Sequence, residues 1–204
     1  MNIKKLKEEQ IRFAKKVILH DTIKKISLIG GCDQAFFDDK IISVIVVLDY
    51  KSLEFIERRY FITKTTFPYI PGYLSYREVP AIVNVYKKLE HKPDVLLCDF
   101  NGILHPRFIG AASHLGVSLD IVTIGVAKSL LCGDIKKNYV YIKGRKVGYV
   151  IRSKKYSSIY ISPGNKISLD TAVKIVKKIR KHKLPEPIRL AHLYANTIKH
   201  EKLL

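Results

Sequence analysis

Residues 94–99, Asp-Val-Leu-Leu-Cys-Asp, form a short apolar run that ends in a carboxylate. A continuous apolar run of this length is typical of a central strand that is covered on both faces. In α/β proteins, functional groups lie outside the carboxyl ends of such strands. The run therefore predicts an α/β fold in which Asp99 stands at the functional edge of the sheet.

Other extended segments supply the rest of a mixed central sheet. Turn residues separate β-branched apolar runs, which predicts three antiparallel strands, a further strand that leads to Lys128, and a later hairpin. These strands are predicted over residues 26–37, 41–50, 53–62, 117–125, 146–152 and 156–161. Asp33 lies in the first of them. Aspartate is depleted in strands, so Asp33 is either a strand-end or turn residue or has a functional reason to be there.

Helical patterns alternate with these strands and are expected to flank the sheet. Apolar residues recur at helical spacing in residues 3–19, 108–115, the segment after Ser168 and the C-terminal segment. The simplest organisation is one domain over residues 1–204, with an amphipathic helix within residues 1–24 packed on it. In the last helix His192 shares the face of Ile188 and Ala195. It is therefore either a core histidine or a residue at the edge of a cleft.

The charge balance restricts the partners. Lys and Arg number 37 against 18 acidic residues, a formal net charge of +19. Such an excess favours nucleic acid as the partner, with an anionic membrane surface second. No apolar run approaches the roughly 20 residues that span a bilayer, and the N-terminus lacks the apolar core of a secretory signal. Three cysteines without metal-type spacing suit a reducing, cytoplasmic setting.

Residues 68–78 combine a stiff turn with the start of a helix. Pro68 and Pro71 restrict the backbone on either side of Tyr69, and Gly72 follows at once. Ser75 and Glu78 have the spacing of a capping box, with Ser75 as N-cap and Glu78 at the third helical position. A proline-bounded loop before an ordinary helix is the simpler interpretation, and a functional role for Glu78 is the alternative.

Three carboxylates from separate segments, Asp33, Glu78 and Asp99, stand out as candidates for chemistry. Oxygen ligands without a cysteine–histidine cluster suit Mg²⁺, with Mn²⁺ as a substitute, rather than zinc. On so basic a protein, this site points to phosphodiester hydrolysis. Lys128 would stabilise charge in the transition state, although it is also one lysine among many on a basic protein.

The sequence resembles the endonuclease V family, deoxyinosine-directed nucleases with a ribonuclease H-like fold. The resemblance rests on Asp33 in its glycine-flanked strand and on residues 68–78, 93–107 and 125–129. The proline–tyrosine segment and the loop His105-Pro106-Arg107 are its most specific parts. The expected fold is therefore a ribonuclease H-like mixed sheet flanked by helices.

The resemblance also implies a role for each matching residue. Asp33, Glu78 and Asp99 match the metal-site acids, and Lys128 matches the active-site lysine. His192 stands where an acid is frequent, so it is expected either at the metal or in a proton role. Tyr69 matches a wedge that enters the base stack. The positions that match the pocket for the displaced base are Pro71, Gly72, Leu74, His105, Gly110 and Leu131.

The activity implied by the resemblance is that of a Mg²⁺-dependent endonuclease of DNA repair. Its expected substrate is DNA with deaminated bases, chiefly hypoxanthine, and then uracil and abasic sites. Cleavage is expected at the second phosphodiester bond 3′ to the lesion, by a cytoplasmic monomer. Two alternatives stay open, which are an inosine-specific endoribonuclease and a non-catalytic basic module that binds nucleic acid.

Overall fold

The structure is a computed structural model that describes residues 2–153 and 155–203. Its described strands form one nine-stranded sheet in the order β3-β2-β1-β4-β5-β9-β8-β7-β6. The strands are β1 Leu28–Phe37, β2 Lys40–Asp49, β3 Phe55–Lys64, β4 Val95–Cys98, β5 Thr123–Ala127, β6 Asp134–Lys136, β7 Tyr139–Ile142, β8 Arg145–Ile151 and β9 Ile159–Asn165.

The sheet is mixed, as expected. Strands β1, β2 and β3 pair antiparallel, whereas β1, β4 and β5 are parallel to one another. The predicted hairpin is also present as β8 and β9, although its turn includes residue 154, which lies outside the described residues. The short strands β6 and β7 were not predicted. All four residues of β4 are buried, which confirms its place at the centre of the sheet.

Helices cover both faces of this sheet. They are α1 Ile3–Ala14, α2 Leu74–Lys88, α3 Ala111–Leu119, α4 Leu169–Ile179 and α5 Glu186–Leu203. One apolar core joins α4 and α5 to the sheet, and a second joins α2 and α3 to the opposite face. Helix α1 packs against α3. None of the described helices has the length and apolar character needed to cross a membrane.

Helix α5 lies unusually close to strand β1. A Cβ atom added at Gly31 would come within 2.2 Å of the backbone carbonyl carbon of Pro187. Ala191, Ala195 and Ile198 of α5 are buried, as their helical spacing predicted. The small residue at position 31 thus lets α5 pass directly over β1, next to Asp33.

Four predicted elements have boundaries that were wrong by several residues. The second hairpin strand runs over Ile159–Asn165 instead of residues 156–161. The helix expected over residues 108–115 is α3, which begins after Gly110 and continues to Leu119. The following residue, Asp120, has φ of 56° and ends the helix, so β5 is shorter than the predicted residues 117–125. Helix α1 ends at Ala14 rather than at residue 19.

The predicted capping box at the start of α2 is also wrong. The N-cap position is held by Tyr73, and no side chain caps the helix. Ser75 therefore lies inside the first turn, where its Oγ is buried and has no hydrogen-bond partner among the described residues. Glu78 is one full turn into the helix, too far along to reach the N-cap amide. Its carboxylate is thus available for another purpose.

Candidate active site

Asp33 and Asp99 meet at one edge of the sheet because their strands are parallel and in register. Cys32 on β1 lies opposite Cys98 on β4, and each aspartate is the next residue in the chain. The backbone amide of Asp99 donates to the carbonyl oxygen of Cys32 at 3.3 Å. The two carboxyl groups come within hydrogen-bonding reach of each other. Asp99 directly follows β4, as its position after the apolar run predicted, whereas Asp33 lies within β1 and is neither a strand-end nor a turn residue.

Glu78 reaches the same cluster from α2. Its side chain is buried, and burial raises its pKa to about 7. Arg77 opposes this shift, whereas the charges of Asp33 and Asp99 add to it. Burial likewise raises the pKa of Asp99 to about 6, with a contribution from Asp33. Three carboxylates therefore crowd a site in which their negative charges disfavour one another.

Lys128 follows β5 and forms an ion pair with Asp99. Burial alone would lower its pKa, but the carboxylate of Asp99 outweighs this effect, so the pKa of Lys128 is raised. The lysine thus stays charged beside the acids. Its position at the same edge as Asp99 follows from the parallel pairing of β4 and β5.

His192 approaches Asp33 from α5. Its Nδ1 lies 2.6 Å from Asp33 Oδ2, and the amide nitrogen of Asn196 lies 3.2 Å from its Nε2. A neutral ring with the proton on Nδ1 satisfies both contacts, since Nδ1 then donates to Asp33 and Nε2 accepts from Asn196. His192 is half-buried at this edge of the sheet, so it is not an enclosed core histidine.

The donor chemistry of the cluster fits a hard divalent cation. Asp33, Glu78 and Asp99 offer only oxygen ligands, and a cation would relieve the repulsion that raises the pKa values of Glu78 and Asp99. Among the described residues, no three His, Cys, Asp or Glu side chains are already arranged to hold a metal ion. Lys128 and His192 instead each contact one oxygen of an aspartate. A metal ion would have to bind the second oxygen of each aspartate or displace these contacts.

A cavity of about 280 Å³ opens directly beside the acids. Asp99 and Lys128 line it, so the cavity and the carboxylate cluster are continuous. All seven residues that were expected to contact a lesion line this one cavity, namely Tyr69, Pro71, Gly72, Leu74, His105, Gly110 and Leu131. The structure thus brings together residues from three segments that are distant in sequence.

The wall of this cavity is organised around the carbonyl oxygen of Gly72. It accepts hydrogen bonds from Arg107 Nη2 at 2.7 Å, from Gln10 Nε2 at 2.9 Å and from His105 Nε2 at 3.1 Å. Gly72 has φ of +79°, a conformation that side chains disfavour. A Cβ atom there would also lie 3.0 Å from the Arg107 guanidinium. Glycine is therefore required on both counts.

His105 supports this wall as a neutral ring. Burial and the neighbouring Arg107 lower its pKa to about 4, although its contact with Gly72 opposes the shift. With its proton on Nε2, the ring donates to Gly72, while Nδ1 accepts from the backbone amide of Arg107 at 3.2 Å. The loop that carries His105 is therefore held by the ring itself.

Tyr69 stands at the mouth of the cavity between its two prolines. Its side chain is 67% exposed, the largest value among the exposed large apolar side chains of the described residues. An aromatic ring on a stiff loop, unsupported by neighbours, is available to stack on a partner.

Two residues of the site were missed by sequence reasoning. Gln10 is 1% exposed on α1 and bonds to Gly72, which is 62 residues away in the chain. Its spacing of four residues from both Leu6 and Ala14 marked it as a polar residue on an apolar face, which was the available signal. Asn196, which contacts His192, carried no comparable signal.

Comparison with known proteins places these features in a family. The sequence profile of the Endonuclease V family matches residues 11–193. Endonuclease V of Dictyoglomus turgidum is 42% identical, over 98% of this chain and 90% of that protein. Endonuclease V of Dictyoglomus thermophilum is 43% identical, over 92% and 89% of the two chains.

Solved structures agree with the sequence comparison. The crystal structure of endonuclease V from Streptomyces avermitilis has a TM-score of 0.92 at 27% identity, covering 100% of this chain and 95% of that one. Ciona intestinalis endonuclease V, in complex with a 24mer DNA containing an inosine followed by a ribo-adenosine, has a TM-score of 0.89 at 30% identity, covering 99% of each chain. The expected ribonuclease H-like α/β fold is thereby confirmed. The chain belongs to the endonuclease V family.

Proposed function

We propose that this protein is a divalent-metal-dependent endonuclease of DNA repair that recognises deaminated bases, chiefly hypoxanthine. It hydrolyses the second phosphodiester bond 3′ to the lesion. One observation carries the proposal: Asp99 and Lys128 line the same cavity as the seven residues expected to contact the displaced base. The inosine-containing DNA bound by the Ciona relative supports the choice of substrate.

The metal ligands in this proposal are Asp33, Glu78 and Asp99. The chemistry that Mg²⁺ supplies when bound is polarisation of the phosphate and a lowered pKa for an attacking water. His192 keeps the carboxylate of Asp33 oriented through its Nδ1 contact. A partner of this kind, behind a ligand, fixes the geometry of the ligand and strengthens metal binding.

Lys128 supplies positive charge to the phosphate. Its raised pKa keeps the ammonium charged, and its place beside Asp99 sets it at the edge of the cavity. Preorganised charge of this kind stabilises the negative charge that develops on phosphate oxygens in the transition state. The lysine also balances part of the charge of the acid cluster before substrate binds.

The cavity holds the displaced base, and the ring of Tyr69 fills the space that this base leaves in the stack. A volume of about 280 Å³ lies near the lower end of the roughly 300–1,000 Å³ usual for ligand pockets, which suits one base. Removing a base from the duplex costs a few kcal/mol, and least for a mispaired base. A wedge and a pocket together therefore favour deaminated positions.

Cleavage of a duplex with a single hypoxanthine tests the proposal. We expect nicking in Mg²⁺ and Mn²⁺, no nicking in EDTA, and no nicking of the undamaged duplex. Asp99→Asn keeps the shape of the side chain but removes its charge, so it should abolish nicking. Full activity of Asp99→Asn would contradict the assignment of Asp99 as a metal ligand. The length of the product strand shows which phosphodiester bond was cut.

Inosine-containing RNA is the second candidate substrate. The DNA in the Ciona complex carries a ribo-adenosine directly after its inosine, so a ribose is accepted next to the lesion in that relative. Cleavage rates of paired oligonucleotides that differ only in having ribose or deoxyribose at this position would distinguish an RNA substrate from a DNA substrate. Faster cleavage of the ribose form would make RNA the main substrate.

The proposed setting is the cytoplasm, with the protein acting as a monomer. Cys32, Cys98 and Cys132 are all free thiols, which supports a reducing compartment. Sedimentation at working concentrations would measure the oligomeric state.

A further inference from the structure

Strand β3 forms an outer edge of the sheet and is unusually open to solvent. It is ten residues long, and only Glu57 of its residues is buried. Phe55 is 56% exposed and Tyr60 is 41% exposed. Long edge strands that expose apolar side chains are normally covered or blocked. Such a surface is typical of an interaction site.

The register of the sheet places part of this edge on the same face as the acid cluster. Tyr60 pairs with Val44, and Val44 pairs with Asp33, so the three side chains project from one face. Two strand spacings separate Tyr60 from Asp33, a distance of about 10 Å between backbones. Helix α5 crosses this face and carries both His192 and Tyr194.

Aromatic rings and a guanidinium meet where β3 faces α5. The Arg58 guanidinium lies 4.0 Å from the ring centre of Tyr194 and 6.0 Å from that of Phe55. Tyr60 meets Tyr194 edge to face, with ring centres 6.1 Å apart. We name these four residues the β3–α5 platform. A groove of about 880 Å³ runs along β3. Lys202 lines it beside the platform, and Glu57, Arg59 and Glu90 line it from the other side of the strand.

The charge of Arg58 is not neutralised by neighbouring acids. It forms no ion pair with any acidic side chain among the described residues. The adjacent Arg59 points to the opposite face, where it pairs with Glu57 at 3.1 Å and Glu90 at 2.6 Å. Two successive arginines therefore differ in environment, one neutralised by acids and the other stacked on aromatic rings.

Exposed aromatic rings with a stacked guanidinium match the chemistry of single-stranded nucleic acid. Bases stack on such rings without regard to sequence, and the cation contacts the phosphates. A second copy of this chain fits the surface less well, because edge-to-edge pairing would bring the unneutralised Arg58 of both copies to the same edge. The net charge of +19 adds to that repulsion.

We propose that the β3–α5 platform binds an unpaired stretch of nucleic acid outside the catalytic cleft. This inference rests on the proposed function in one respect. The strand bound at the platform would be a continuation of the nucleic-acid strand that is cut beside Asp33 and Asp99. The platform itself requires neither a lesion nor a metal ion. It would extend the contact surface from the cleft over helix α5, which covers β1 and β2, to the edge of the sheet.

The test measures binding of unmodified single-stranded DNA in EDTA, by fluorescence anisotropy. We expect Tyr194→Ala and Arg58→Gln each to weaken binding roughly tenfold, the loss typical of one stacked base or one desolvated cation. The matched control is Arg152→Gln, which removes the same charge just after β8, on the far side of the sheet from β3, and should change affinity less than twofold. Thermal unfolding of each variant checks that the fold is intact.

Three results would overturn the proposal. Unchanged binding in both platform variants would show that the platform does not bind the strand. Equal losses in Arg58→Gln and Arg152→Gln would mean that binding is general charge attraction. A dimer in sedimentation that Tyr194→Ala abolishes would assign the surface to a second copy. Because the probe has no lesion and no metal is present, these outcomes are independent of whether the protein nicks hypoxanthine.

Discussion

His192 on α5 and Asp33 on β1 are joined by a contact of 2.6 Å between Nδ1 and Oδ2. It ties the last helix of the chain to the first strand of the sheet, at the point where the carboxylates converge. Since Asn196 contacts the other ring nitrogen, the orientation of the imidazole is set from within α5.

Loss of this contact should weaken metal binding. We expect His192→Ala to raise the Mg²⁺ concentration for half-maximal nicking about 10- to 100-fold, the usual effect of removing a partner behind a metal ligand. Activity at saturating Mg²⁺ should fall much less. His192→Asp, which restores an acid, serves as the comparison. An equal loss at every Mg²⁺ concentration would argue against the orienting role.

Removal of Lys128 should affect the chemical step. Lys128→Ala is expected to lower kcat about 10²- to 10³-fold, as for other groups that stabilise transition-state charge. Affinity for hypoxanthine DNA in EDTA should change only slightly. Single-turnover kinetics separate the two quantities. If affinity falls as far as the rate, Lys128 is a phosphate-binding residue instead.

Tyr69 should matter most where a base must leave a stack. Tyr69→Ala is expected to weaken binding to a hypoxanthine duplex roughly tenfold, because the ring no longer fills the vacated position. Binding to the same lesion in a single strand should fall less. Tyr69→Phe keeps the ring and is the matched control. Equal losses on duplex and single strand would count against a wedge.

Glu78 should make the metal-free protein less stable at higher pH. Its folded-state pKa of about 7 lies above the ordinary value of 4.5, so the folded state holds a proton that the unfolded state releases first. In EDTA, the contribution of Glu78 to stability should therefore be fully present below pH 4.5 and decline by roughly 3 kcal/mol as pH rises through about 7.

Urea unfolding at several pH values measures this decline. Glu78→Gln removes one titrating group, so the decline between about pH 6 and pH 8 should disappear. The decline at lower pH that comes from Asp99, whose pKa is about 6, should remain. At pH 8 the variant should be more stable than the unaltered protein. If Glu78→Gln lowered the free energy of unfolding equally at every pH, the pH-dependent decline could not be assigned to Glu78.

The contact between β1 and α5 should not tolerate a methyl group. A Cβ atom at Gly31 would lie 2.2 Å from the backbone of Pro187, so Gly31→Ala forces the helix away from the strand. Overpacking of this kind costs about 1–3 kcal/mol or more. Gly144→Ala is the control, because no atom lies within 4 Å there and only its φ of +76° opposes the change. Chemical denaturation measures the free energy of unfolding of Gly31→Ala and of Gly144→Ala, and the loss should be larger for Gly31→Ala.

Much of this arrangement could be predicted from local sequence. Strands β1, β2 and β4 are β-branched or continuous apolar runs, and the buried positions of α5 follow a helical period, so each can be inferred from a short window. Asp33 was singled out because aspartate is rare in strands, and Asp99 because it follows a buried strand. Glu78 was noticed only through its capping-box spacing.

The parts that failed are determined by pairing and packing rather than by an apolar pattern in the sequence. Strands β6 and β7 have three and four residues, and they are defined by pairing rather than by an apolar run. The capping-box spacing of Ser75 and Glu78 is a local signal, but the burial of Glu78 in the acid cluster decides its role. Gln10 is defined by its contact with Gly72, which no local pattern specifies.

The three donors on the Gly72 carbonyl make the base pocket depend on helix α1. That helix lies outside the sheet, so it can detach at a lower free energy than global unfolding requires. Its departure would remove the Gln10 hydrogen bond and loosen the wall of the pocket, while the carboxylates on the sheet stayed in place. On warming, discrimination between damaged and normal bases should therefore decline before the capacity to cut does.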